Sequence, residues 1–149
     1  MRYDTRYDNL DAPVDDLACS NGDHGLKGKG HNTLRTLITK PDVDVGAVFG
    51  VQWNSVGCGK CYRIMYNVKS LYIIAVDTAA EGFNLSKRAF DTLTNGRAEE
   101  LGSAQIAWEE VEPKFCGFEV GYSFVNVAFR SRLIEITRLE VLDLIDTRL

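Results

Sequence analysis

Four cysteines, Cys19, Cys58, Cys61 and Cys116, are the residues whose type and spacing most suggest chemistry. A pair spaced like Cys58-Gly59-Lys60-Cys61 can be a redox dithiol or half of a zinc site. Zinc would need two further ligands. The only histidines, His24 and His31, lie in a glycine-rich loop with six residues between them, a poor complement to the pair. A thioredoxin-type dithiol should follow a strand and open a helix, whereas Cys61 opens a strand-like run. The four cysteines therefore read first as a disulfide framework. Bridging within CxxC is strained, and neighbouring strand residues face opposite ways. Two pairings stay open: Cys19–Cys58 with Cys61–Cys116, or Cys19–Cys61 with Cys58–Cys116. In the chain-entropy description each such long-loop bridge contributes roughly 4 kcal/mol.

Asp77 is the second chemical candidate. It follows the apolar run Leu71–Val76, so its carboxylate should emerge at the rim of a barrel. There it could accept sugar hydroxyls or serve as a general acid. Glycoside hydrolysis would require a second carboxylate about 5 Å or 6.5–9.5 Å away; Asp8, Asp44 and Glu81 are available, but the sequence places none opposite Asp77. The plainer reading has Asp77 accepting backbone amides of the turn Ala79-Ala80-Glu81-Gly82. Asn84 opens the glycosylation sequon Asn84-Leu85-Ser86 and also falls where a helix cap is wanted, which is the preferred reading. Trp53, Tyr62, Tyr66, Tyr72 and Trp108 could stack on sugar rings, although most aromatics on short strands belong to the core. Gly25-Leu26-Lys27-Gly28-Lys29-Gly30 lacks the flanking strand and helix of a phosphate loop and reads as a surface loop.

These residues need elements to hold them. Arg2–Tyr7 reads as an edge strand, 8–16 as turns, and 20–30, with four glycines, as a loop. Ala47–Val51, Cys61–Tyr66 and Ser70–Val76 read as strands, the last two joined at Asn67-Val68-Lys69. From Asn84 to Leu93 the period changes: Leu85, Ala89, Phe90 and Leu93 share one helical face, capped by Asn84 or Ser86 and ended by Asn95-Gly96. A short second helix runs from Arg97 to Leu101. Ala104, Ile106 and Trp108 alternate as a strand with one buried face. The sum is a small β-barrel with helices outside it. Residues 118–149 differ: 120–129 are β-like, and the last run has no consistent period.

The chain has 149 residues, of which 45% are hydrophobic, enough for one domain with a real core. No apolar run of about 18 residues suggests a transmembrane helix. A net charge of −4 gives no basic face for nucleic acid. Met1 leads straight into Arg2-Tyr3-Asp4 with no signal peptide, yet a disulfide framework calls for an oxidising compartment. The expectation that reconciles them is a precursor that begins upstream.

The segments YDTRYD (3–8), LACSNG (17–22) with Gly25-Leu26, WNS (53–55), CGKCY (58–62), VDTAAEGFNLS (76–86), LTNGRAEELG (93–102) and Cys116-Gly117 together resemble the cerato-platanin family, in order and spacing. The resemblance covers about residues 2–117. It implies a mainly β fold, a six-stranded double-psi β-barrel with one or two short helices, stapled by Cys19–Cys58 and Cys61–Cys116. It implies a secreted fungal protein that binds chitin-type N-acetylglucosamine oligomers or cell-wall polysaccharide, with no metal or cofactor, no nucleic acid and no membrane. Such proteins loosen wall polysaccharide without hydrolysis and are sensed by plants as elicitors, through a surface receptor; they are monomers or associate weakly. Asp77 and Asn84 match the family's groove residues, and the expected ligand set is Asp77, Asn84, Ser20, Asp8, Tyr7 and Gly82. The alternatives are a weak hydrolase or transglycosylase using Asp77, and a self-assembling surface-active elicitor.

Two positions depart from the family pattern. Thr78 replaces a histidine after the aspartate, which removes a proton donor beside Asp77 and weakens acid–base chemistry. Tyr62 replaces a tryptophan after the CxxC. The expected domain is 1–117, with 118–149 an atypical tail, unstructured or the product of an unspliced intron in an imperfect gene model.

Overall fold

The computed structural model describes residues 1–118, so the expected tail, including its β-like stretch at 120–129, lies outside the described residues apart from Phe118. Six strands form one mixed sheet: β1 (Arg2–Tyr3), β2 (Val43–Phe49), β3 (Cys61–Tyr66), β4 (Lys69–Ala79), β5 (Phe83–Leu85) and β6 (Ala107–Val111), in the order β1-β5-β2-β4-β3-β6. β4 runs parallel to β2 and antiparallel to β3. The sheet is open: β1 and β6 are its two edges, and no ladder joins them, where the sequence suggested a closed barrel. An isolated bridge between Arg2 and Ser103, with the Ala104 amide donating to the Met1 carbonyl, links β1 to the residues before β6.

β4 is the axis of the fold. Ile73, Ile74, Ala75 and Val76 are all buried, the unbroken apolar run of a strand covered on both faces. It joins β3 through a two-residue turn in which Asn67 takes a left-handed φ of 55°, a conformation asparagine tolerates well. β2 begins four residues earlier than the sequence suggested. Its Asp44 is buried and held by two bonds from Arg88, both 2.8 Å, so one of the carboxylates available as a partner for Asp77 is a satisfied interior charge. Between the pairs Gly46↔Ala75 and Ala47↔Asp77 the register slips, with Val76 as the extra residue of β4. Gly46 lets β5 come close: a Cβ there would sit 2.8 Å from the Asn84 carbonyl oxygen.

Helix α1 (Lys87–Thr94) packs against β1, β3, β4 and β5 through Ala89, Phe90 and Leu93, with the Tyr3 and Phe90 rings edge to face at 5.5 Å. It starts later than expected. Asn84 belongs to β5, and Ser86 is the cap, its hydroxyl accepting the Ala89 amide at 3.0 Å. Asn95 ends the helix in the left-handed region, as its sequence position suggested. Asp91 then accepts the Ala98 amide at 2.8 Å and fixes the start of α2 (Ala98–Leu101).

Two further expectations need correction. The strand suggested for Arg2–Tyr7 stops at Tyr3, because the Asp4 side chain accepts the Arg6 amide and folds Thr5–Asp8 into a 3-10 turn. The strand around Ala104–Trp108 starts at Ala107 and is largely exposed, as an edge strand of the sheet. Both bridges implied by the resemblance are formed: Cys19–Cys58 ties two loops together, and Cys61–Cys116 ties β3 to the 3-10 turn Pro113–Cys116. All four sulfurs are thereby used, which leaves CxxC no thiolate for metal or redox chemistry.

Candidate ligand site around Asp77

Beyond Ile74, β4 outruns β3 and loops take over as its neighbour. Gly59 donates to the Ala75 carbonyl at 2.8 Å, and Cys19 donates to the Val76 carbonyl at 3.1 Å. The segment before Cys19 then meets the side chain of Asp77. The Ala18 amide donates to Asp77 Oδ1 at 2.8 Å, and the Tyr7 hydroxyl donates to Oδ2 at 2.8 Å. Arg6 Nη1 lies 3.7 Å from Oδ2, with its guanidinium over the Tyr7 ring. Asp77 thus binds a tyrosine and one loop amide rather than the turn Ala79–Gly82. Each oxygen keeps acceptor capacity beyond the one hydrogen bond it takes, and the side chain is 13% exposed. Burial pushes the Tyr7 hydroxyl well above its usual pKa, with the Asp77 bond and charge adding to it, so Tyr7 stays a donor.

The register brings Asn84 into the same row. Ala47 pairs with Asp77 on one side and with Asn84 on the other, and Asn84 pairs with Arg2. Side chains in one row share a face of the sheet. With strands about 4.8 Å apart, Asp77 and Asn84 stand roughly 10 Å from each other at their backbones. Asn84 is half-buried, and its amide group has no hydrogen-bond partner among the described residues.

The family model described as Cerato-platanin matches residues 1–118. The chain belongs to the cerato-platanin family. A heat-stable 19 kDa antigen of Coccidioides posadasii is 44% identical over 120 residues, 80% of this chain and 81% of its own. The crystal structure of cerato-platanin 3 from M. perniciosa, 38% identical, superposes with a TM-score of 0.73 over 78% of this chain and 96% of its own. The solution structure of the fungal elicitor cerato-platanin, 31% identical, gives 0.67 over 77% and 93%.

Of the expected ligand residues, Asp77 and Tyr7 are in direct contact, and Asn84 lies in the same row as Asp77. Gly82 forms the turn into β5 with a φ of 58°, its carbonyl accepting the Phe49 amide. Ser20 follows Cys19 in the loop beside β4, half-buried, with its hydroxyl free among the described residues. Asp8 is elsewhere engaged: its carboxylate accepts the first two amides of α1, from Lys87 at 2.8 Å and Arg88 at 2.9 Å, as a carboxylate at a helix N-terminus should. Thr78 donates to the Val51 carbonyl at 2.6 Å, so the residue in place of the family histidine ties down a loop. Sequence reasoning missed Arg6 and the Ala18 amide. A main-chain donor 59 residues from its acceptor leaves no pattern to read. Among the described residues no cluster of His, Cys, Asp or Glu could hold a metal ion, and no helix is long and apolar enough to cross a membrane.

Proposed function

We propose that this protein is secreted, binds chitin-type N-acetylglucosamine oligomers at the Asp77–Asn84 row and loosens wall polysaccharide without cleaving it. The observation that carries this reading is the pairing of unlike, part-exposed hydrogen-bonding groups across Ala47. Asp77 offers acceptor capacity, and Asn84 offers both a donor and an acceptor with no internal partner. Sugars present alternating hydroxyl and acetamido groups that such a pair can read. Tyr7 and Ala18 hold the carboxylate still, which lowers the ordering cost of binding. The double-psi barrel that accompanies this reading would close where Arg2 bridges Ser103.

Hydrolysis gains little support. Asp8 is spent on α1 and Asp44 on Arg88, while Thr78 supplies no titratable partner. Elicitor activity is part of the proposal: one solved relative is described as a fungal elicitor and another relative as an antigen, descriptions that suit a protein met outside the cell that makes it.

Calorimetric titration with N-acetylglucosamine oligomers, beside a reducing-sugar assay on chitin, tests the reading. Asp77→Asn, which preserves shape and keeps an oxygen to accept the Ala18 amide, should weaken binding about tenfold, with no sugar released by either protein. Unchanged affinity would remove Asp77 from the site. Release of sugar by the parent protein but not by Asp77→Asn would replace binding with hydrolysis.

A further inference from the structure

The row that carries Asp77 and Asn84 does not stop at Asn84. β1 adds one more strand to it: Arg2 pairs with Asn84 and, on its other side, bridges Ser103. The next residue, Tyr3, pairs with Leu85 and sets its ring against Phe90 of α1. Successive side chains of a strand alternate faces, so Arg2 points to the side of Asn84, away from α1. It is exposed, and its guanidinium makes no hydrogen bond or ion pair among the described residues. Arg6, Arg35, Arg63, Arg88 and Arg97 each pair with a carboxylate; among the described residues Arg2 is the one arginine that does not. A carboxylate is nevertheless close by. Arg2 and Glu81 line one cleft of about 490 Å³, together with Gly82 and Ser103, and Glu81 also makes no hydrogen bond or ion pair among the described residues. A cation and an anion share this cleft without pairing.

An unpaired guanidinium offers donors and no acceptor, and an unpaired carboxylate offers the reverse. A neutral group with a carbonyl and an N–H side by side satisfies both. An ammonium would gain Glu81 but face Arg2, and a carboxylate would gain Arg2 but face Glu81. We infer that the cleft beyond Asn84 reads the acetamido group of a sugar, with Arg2 donating to its carbonyl and Glu81 accepting its N–H, and that it makes the protein prefer N-acetylated over deacetylated chains; this rests on the sugar-binding reading. The row crosses the strands, so Arg2 stands three strand spacings, roughly 15 Å, from Asp77 at the backbone. One sugar cannot span that distance, and the two residues contact different units of one oligomer. Replacing acetamide by ammonium removes the acceptor that Arg2 needs and sets two cations together. Asp77 would attract an amine at the other end, but the Arg6 guanidinium, 3.7 Å from its Oδ2, opposes that gain.

Calorimetric titration with long N-acetylglucosamine oligomers, beside fully deacetylated oligomers of the same length, reads the preference in mildly acidic solution that keeps the amines charged. The parent protein should bind the acetylated oligomer about tenfold more tightly. Arg2→Met should weaken acetylated binding about tenfold and leave deacetylated binding unchanged or stronger, so the preference disappears. Arg2→Lys keeps the charge without the planar fork and should recover part of the acetylated affinity. Glu81→Ala should weaken acetylated binding by a smaller factor, about threefold. Circular dichroism and melting temperature confirm that each variant folds. A parent that binds both oligomers alike, or an Arg2→Met variant that keeps the parent's preference, overturns the acetamido subsite and leaves the Asp77 reading standing. Absence of binding by the parent to either oligomer overturns both.

Discussion

The sheet interior and the shell around Asp77 are built by different means. Around β2 and β4 the structure depends on volume: Val45, Ile73 and Ile74 are sealed from solvent and need only neighbours of the right size. Around Asp77 it depends on connections. A 3-10 turn, two loops and a disulfide are sewn to β4 by individually placed bonds from Tyr7, Ala18, Cys19 and Thr78. The difference teaches which property each region protects. Interior substitutions should lower stability and spare the ligand groups, whereas shell substitutions should disturb the ligand groups more than stability.

The sharpest way to break that division is an interior cavity. Ile74→Ala should cost about 2–5 kcal/mol, read as a lower urea midpoint, with oligomer affinity unchanged while the protein stays folded. A large affinity loss in the folded variant would show that the two regions are coupled. Replacing Cys61 and Cys116 together by serine should cost about 2–5 kcal/mol and likewise spare affinity, since that bridge is anchored on β3. Replacing Cys19 and Cys58 together should cost a similar amount of stability but also weaken binding, because it frees the loops that present Ala18 and Ser20.

Tyr7→Phe sharpens the comparison from the shell side. It removes a bond to a carboxylate, about 1.5–3 kcal/mol. The effect has a defined pH dependence. Burial raises the Tyr7 hydroxyl in the folded state, so its contribution is whole below the unfolded tyrosine value of about 10 and is lost as pH rises above it. Urea midpoints of the parent and Tyr7→Phe should therefore converge in alkaline solution; a gap that stays constant would mean that Tyr7 titrates normally. The smallest effect belongs at the hairpin tip. Val68, almost wholly exposed, should tolerate Val68→Lys within about 0.5 kcal/mol, in both melting temperature and affinity.

The same division decided what could be read from the chain. The hairpin around Asn67 and the end of α1 at Asn95 were legible because each depends on a few adjacent residues. The disulfide pairing was legible through the family resemblance, while spacing alone left two pairings open. β2 was read too short because Asp44 looks like loop until Arg88, 44 residues away, neutralises it. Asn84 was read as a cap because β5 is only three residues long and merges with the helical period that follows. Asp77 was singled out from its place after an apolar run, but its partners Tyr7 and Ala18 lie 70 and 59 residues back. Asp8 entered the ligand set with the family resemblance, and its bonds to the Lys87 and Arg88 amides, 79 and 80 residues on, leave no local pattern to read.

Val76 gives β4 a change of parity. Up to Ala75 the even-numbered residues of β4 share a face with Val45 of β2; past the slip, odd-numbered Asp77 joins that face beside Ala47. One strand therefore follows two counting rules, one serving the interior and one serving the site. Chain length in this stretch is then as much a specification as side-chain identity. Adding or removing one residue near Val76 would leave every functional group present in the protein and turn the carboxylate toward the wrong side.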